Sequence, residues 1–317
     1  MTLILLNALL PIFVGLLLGY WAGRRGVMDM NVHNLIVLVM DFAIPCDLFA
    51  TIIKTSWPML AEQAGTVLVI TVVFVALYAG SYVWGRRSLK MSVSDASVLA
   101  LTVGFPNSAA VALPLLTTAY GPRAAVPAAL SIAVGAVTTS PMTVALLEAD
   151  KLSAGKGVSI SVVAVKFLRA FTRPVVLAPV LALLGVYFGL HLPSYVERSL
   201  TTLGGAASGS ALILTGVVVS SQRFCLQKSV LWATAAILVI QPLLALALTV
   251  LCGMSHDEIR DITLICAIPA GFFGLVFGKR FNATPATASS AVIASYVVGA
   301  FSLAAWMLVL AKLFGGA

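Results

Sequence analysis

Long apolar runs separated by short charged clusters set the pattern of this chain. Runs of about twenty residues recur ten times, at 3–22, 32–52, 65–85, 96–118, 125–147, 172–190, 196–220, 229–251, 262–281 and 288–312. As helices, runs of that length cross a hydrocarbon core of about 30 Å. In lipid every backbone polar group must be satisfied internally, which a helix achieves alone. The pattern therefore predicts an all-α polytopic membrane protein with ten transmembrane helices. The first run, Leu3 to Tyr20, has no basic segment before it, so it reads as a retained helix rather than a cleaved signal.

Composition narrows the classes further. The 317 residues are 61% hydrophobic and 9% charged, with a mean hydropathy of +1.07. A soluble domain carries about 25% charged residues. Soluble enzymes, nucleic-acid binders, disordered scaffolds and secreted disulfide domains are excluded. Cys46, Cys225, Cys252 and Cys266 form no C-x-x-C pair and no metal-like spacing, so neither a disulfide frame nor a metal site is expected. His33, His191 and His256 fall at span ends.

The net charge of +8 is unevenly distributed. Connections after odd-numbered spans hold fourteen of the nineteen basic residues, including Arg24, Arg25, Arg86, Arg87, Lys151, Lys156, Arg223 and Arg280. The opposite side holds only Lys54, Arg123, Arg198, Arg260 and Lys312. Cytoplasmic loops carry the basic excess. This places the odd connections in the cytoplasm and both termini outside. Between the fifth and sixth spans, Gly157 to Arg173 mixes Val163, Val165, Phe167, Leu168 and Phe171 with Lys166, Arg169 and Arg173, the pattern of a helix lying along the bilayer surface.

The two halves repeat. Ser131-Ile-Ala-Val-Gly-Ala136 in the fifth span matches Ser295-Tyr-Val-Val-Gly-Ala300 in the tenth, at an offset of 164. The same offset lays spans 2, 3 and 4 on spans 7, 8 and 9, and brings Pro106 within one residue of the equivalent of Pro269. Each copy holds five spans, an odd number, so the second is inverted relative to the first. The expected division is residues 1–150 for the first repeat and 151–317 for the second, within one integral membrane domain. Inverted repeats mark secondary transporters that work by alternating access.

Polar and helix-breaking residues gather at mid-span. The fourth span holds Thr102-Val-Gly-Phe-Pro-Asn-Ser108 and the ninth Cys266-Ala-Ile-Pro-Ala-Gly-Phe272. Proline has no N–H and collides with the carbonyl four residues back. Pro106 thus frees the carbonyl of Thr102, and Pro269 that of Ile265. Both helices are expected to break and cross at the bilayer centre. The amide-rich start of each second half would offer positive dipole ends to an anion. The expected substrate site is Pro106, Asn107, Ser108, Pro269, Ala270 and Gly271; the alternative is a pair of kinks that only aid packing. In the second span, Asp41-Phe-Ala-Ile-Pro45 sets a carboxylate beside a carbonyl freed by Pro45. With Thr102, these residues are the candidates for coupling to H⁺ or Na⁺, the alternative for Asp41 being a structural acid. Charges at membrane depth are expensive and usually functional.

The ten-span, inverted plan with Ala43-Ile-Pro45, Phe105-Pro-Asn107 and Ile268-Pro-Ala-Gly-Phe-Phe-Gly274 resembles the auxin efflux carrier family of bacterial permeases, and the last segment its malonate and malate carriers. The resemblance implies a binding centre where helices 4 and 9 cross. It implies a scaffold of spans 1, 2, 6 and 7, a transport unit of spans 3–5 and 8–10, and homodimers through the scaffold. The expected function is a secondary carrier for small organic anions, dicarboxylates such as malonate or malate first, with a monocarboxylate or auxin-like efflux carrier as the alternative. No G-x-x-x-x-G-K-[ST] loop supplies ATP chemistry, and no H-E-x-x-H or G-x-S-x-G motif supports an intramembrane enzyme. A channel is the remaining competitor. No cofactor and no nucleic-acid partner are expected; lipid surrounds the chain.

Overall fold

The computed structural model describes residues 2–27, 33–153, 160–170, 172–221 and 224–314. Lys156, Arg223 and Phe171 lie outside the described residues, as do the side chains of Lys166 and Arg280. Among the described residues every regular element is helical, and the only β-type pairing is one isolated bridge. Among the described residues six helices are long and apolar enough to cross a bilayer: Asn34–Ile53, Ala64–Arg87, Pro122–Leu152, Ser194–Ser220, Lys228–Leu251 and Ala286–Phe314. This is a multi-pass helical membrane protein. Many large apolar side chains are exposed, among them Leu251 and Phe301, as lipid contact requires.

The four remaining apolar runs are helical in other forms. The first is helix Thr2–Arg24, and the sixth is shortened to Pro174–Tyr187. The fourth and ninth are each split. Val93–Gly104 is followed by a wide turn at Ser108–Ala112 and helix Leu113–Tyr120. His256–Ala267 is followed by Phe273–Arg280. Splitting makes each half too short to cross alone, and proline chemistry places both breaks. Of the predicted surface helix, Ile160–Ala170 is helical.

Three further prolines leave a common signature. Pro45, Pro114 and Pro242 each follow a π-type turn, at Leu38–Ala43, Ser108–Ala112 and Ala236–Ile240. A helix that must lose one amide donor can widen by a residue instead of breaking. The Ile44 N–H then reaches the Val39 carbonyl, and the Gln241 N–H that of Ala236, both five residues back. The second span therefore passes through a widened turn that contains Asp41.

Contacts divide the chain into two compact units. The first is Met1–Leu68, Ser108–Ala133 and Thr172–Ser221; the second is Val69–Asn107, Val134–Phe171 and Gln222–Ala317. Each draws on both halves of the sequence, so packing units and sequence repeats are different divisions. The first unit holds spans 1, 2, 6 and 7, together with the second half of the fourth and the start of the fifth. That is more than the four spans the family resemblance implies for a scaffold, because the chain changes unit at the break after Asn107 rather than between spans.

Within the first unit, spans 1 and 7 touch backbone to backbone. A β-carbon on Gly19 would lie 2.2 Å from the Ile213 carbonyl oxygen, and one on Gly216 would lie 2.2 Å from that of Leu16. Small residues let membrane helices approach this closely where no hydrophobic force drives them together. Lys54 adds an ion pair to Glu197 at 3.0 Å, at the end of the second span.

Within the second unit, both split spans start from a serine cap. The Ser92 hydroxyl accepts from the Asp95 N–H at 3.0 Å. Ser255 and Glu258 form a reciprocal capping box. Each cap opens a helix of 12 residues that ends just before its break. The Asp150 carboxylate accepts from the Ser94 N–H at 3.1 Å and the Ser94 hydroxyl at 2.6 Å, tying the end of the fifth span to the start of the fourth.

Candidate functional site at the crossing of two broken helices

Everything in the crossing itself lies in the second unit. Proline leaves Phe105 and Ile268 unable to continue their helices, and both adopt extended backbone, with φ −126°, ψ 99° and φ −72°, ψ 159°. The two extended stretches pair. Pro106 and Ala270 form an antiparallel bridge. The Asn107 N–H donates to the Pro269 carbonyl at 3.0 Å, and the Gly271 N–H to the Phe105 carbonyl at 3.0 Å. Backbone groups that would otherwise be orphaned in an apolar interior are thereby satisfied.

This changes how the site is built. The amides of Asn107 and Gly271 were expected to face a solute, but each is engaged by the opposite break. The Ala270 N–H is held as well, by the Ser295 hydroxyl at 3.1 Å. The amide-rich terminus that remains in this unit is the first turn of Phe273–Arg280, which no side chain caps. Its partial positive charge suits an anion.

The side chains at the breaks are buried. Asn107 and Ser108 are both 0% exposed. The Asn107 Nδ2 donates to the Tyr296 hydroxyl at 2.6 Å. Ser108, the first residue of the other unit, has a buried Oγ with no hydrogen-bond partner among the described residues. Aromatic rings wrap the second-unit side: Phe105 stacks on Phe273 at 5.1 Å, Phe273 on Phe272 at 4.7 Å, and Phe74 tilts against Phe105 at 5.8 Å.

The repeated segments SIAVGA and SYVVGA pack where the breaks need space. A β-carbon on Gly299 would lie 2.8 Å from the Pro269 ring, and one on Gly135 would lie 2.1 Å from the Phe105 ring. The sequence match thus marks residues that receive the breaks. Tyr296 and Ser295 were missed as site residues. The signal was present in that same match, where Tyr296 stands against Ile132.

The coupling candidates are not gathered in one unit. Thr102, in the second unit, is fully buried, and its hydroxyl bonds back to the Val98 carbonyl at 2.9 Å. Gly274 packs directly on it; a β-carbon there would lie 2.5 Å from Thr102 Oγ1. Asp41 and Pro45 belong to the first unit. Pro45 is buried, whereas Asp41 is half-buried beside exposed Leu38 and Phe42. No metal-binding group of three or more His, Cys, Asp or Glu occurs among the described residues.

A family model described as membrane transport protein matches residues 4–307, nearly the whole chain. The chain belongs to this family, the auxin efflux carriers. Among curated relatives, an uncharacterized transporter, YfdV, of Escherichia coli K12 is 28% identical over 306 residues, covering 95% of this chain and 96% of the relative. Proteins of the same name from Escherichia coli O157:H7 and Shigella flexneri match equally. The family match and the relative make this chain a membrane transporter.

Proposed function

We propose that this chain is a secondary carrier that moves a small organic anion across a bacterial inner membrane by alternating access. The observation that carries the reading is the antiparallel bridge between Pro106 and Ala270. The two breaks run in opposite directions, as inverted repeats require. The halves leading into them correspond at an offset of 163, from Ser92 to Ser255 and from Pro106 to Pro269. This supports ten spans in two inverted sets of five, with residues 106–108 and 269–271 as the solute site. Both termini outside and a homodimer complete the reading, as do the absence of a cofactor and of an enzymatic step. Coupling to H⁺ or Na⁺ is assigned to the turn at Asp41 and Pro45 and to Thr102.

The dicarboxylate reading has a competitor that one observation favours. No Lys, Arg or His occurs in residues 102–110 or 265–275, and side chains that touch the breaks within the second unit include Phe74, Ser295 and Tyr296. Neutral donors and one helix terminus hold a single carboxylate more readily than two, because each desolvated charge needs its own compensation. Stacked rings suit an apolar body. A monocarboxylate with an apolar part is therefore the second reading.

Uptake into proteoliposomes tests both. Labelled malonate, malate, acetate and phenylacetate are offered to empty vesicles and to vesicles preloaded with the same acid. A carrier gives saturable uptake that preloading accelerates. A channel gives no acceleration, and lack of saturable uptake of every acid would remove the organic-anion reading.

A further inference from the structure

Two polar residues that have apolar counterparts in the other half bond to each other at the crossing. Asn107 stands where the other break has Ala270, and Tyr296 stands where the other receiving helix has Ile132. The Asn107 Nδ2 donates to the Tyr296 hydroxyl at 2.6 Å, with Asn107 0% and Tyr296 3% exposed. Neighbours of Tyr296 on the same helix serve the other break. Ser295 holds the Ala270 amide, and Gly299 receives the Pro269 ring. One face of the tenth span thus grips both broken helices, and its single phenol is aimed at the single carboxamide.

From this geometry we propose that Tyr296 is a positioning and specificity-determining residue of the crossing. Its hydroxyl oxygen occupies the donor of Asn107 in the empty carrier and yields that donor to a carboxylate oxygen of the solute. The inference rests on the carboxylate-binding reading given above. Buried polar groups need a partner at every stage of a cycle, since an orphaned donor is costly. The phenol oxygen supplies that partner while no solute is present. A carboxylate, being charged, is the stronger acceptor and can replace it. Solutes without a carboxylate or an equivalent anionic oxygen pair cannot compete, so the exchange acts as a filter as well as a support.

The exchange makes the solute compete with an internal bond. Removing the phenol oxygen while keeping the ring should therefore tighten binding. One hydrogen bond of ordinary net strength corresponds to about threefold to tenfold in affinity. The effect must vanish when Asn107 is absent, which separates exchange from loosened packing.

The test uses purified full-length protein in lipid nanodiscs, with malonate, succinate, acetate and phenylacetate as probes. Binding is measured by calorimetry for wild type, Tyr296→Phe, Asn107→Ala and the double variant. The expected result is a lower Kd in Tyr296→Phe, little difference between Asn107→Ala and the double variant, and slower turnover in Tyr296→Phe as the carrier loses its empty-state lock. Tyr296→Ile, which installs the residue type the other half carries at Ile132, guards against a folding defect of the phenylalanine variant and should also tighten binding. Equal affinity in wild type and both Tyr296 variants overturns the exchange and leaves the carboxylate reading standing. Failure of every probe to bind any of these proteins overturns the carboxylate reading, and the exchange with it.

Discussion

The carbonyl oxygen of Phe105 lies 2.7 Å from where a β-carbon on Gly271 would stand, while the Gly271 N–H donates to that same oxygen at 3.0 Å. The crossing therefore requires glycine there for reasons of approach. Gly271→Ala should push the two breaks apart and weaken the bridge, lowering stability by about 1–3 kcal/mol as overpacking of a tight interior does. Thermal unfolding in nanodiscs measures it, with uptake falling in parallel. A wild-type midpoint would mean that the two breaks are not held by this contact.

Asn107 contributes twice, by its backbone to Pro269 and by its side chain to Tyr296. Asn107→Ala keeps the first bond and loses the second, a stability cost of about 1 kcal/mol. The folded carrier should survive and its uptake should not. Membrane expression and uptake measured on the same cells separate the two; normal uptake would remove Asn107 from the site.

Much of this crossing could be read in advance because proline acts locally. Pro106 and Pro269 each follow the end of a helix, where mid-span breaks were expected. The pairing of the breaks could not be read, since nothing in Phe105-Pro106-Asn107 says which segment its amide will meet. That pairing turned two expected solute-binding amides into structural ones. Tyr296 escaped notice because a lone tyrosine in an apolar span reads as packing until its partner is known. The widened turns before Pro45 and Pro242 were not legible, since whether a helix that loses one amide donor widens or breaks depends on what packs around it. The change of packing unit after Asn107 is a long-range result that no local pattern encodes.

Asp41 sits in one of those widened turns, half-buried in the first unit. Asp41→Asn removes its charge and proton while keeping its shape. If Asp41 couples solute to ion, the variant should retain solute exchange across vesicles and lose the acceleration by an imposed H⁺ or Na⁺ gradient. An unchanged gradient response would make Asp41 a structural acid.

Gln241 directly follows the third widened turn, with both ends of its carboxamide buried and no hydrogen-bond partner for either among the described residues. The carbonyl that Pro242 releases, that of Leu238, is taken instead by Trp306 Nε1 at 3.0 Å and the Ser302 hydroxyl at 3.2 Å. An unsatisfied buried amide costs about 1–3 kcal/mol. Gln241→Met keeps the length and removes the polar groups, so the thermal midpoint should rise. A rise with uptake intact marks Gln241 as dispensable; a rise with uptake lost marks it as a polar group kept for the transport cycle. A fall in midpoint would show that the carboxamide has a partner in the membrane.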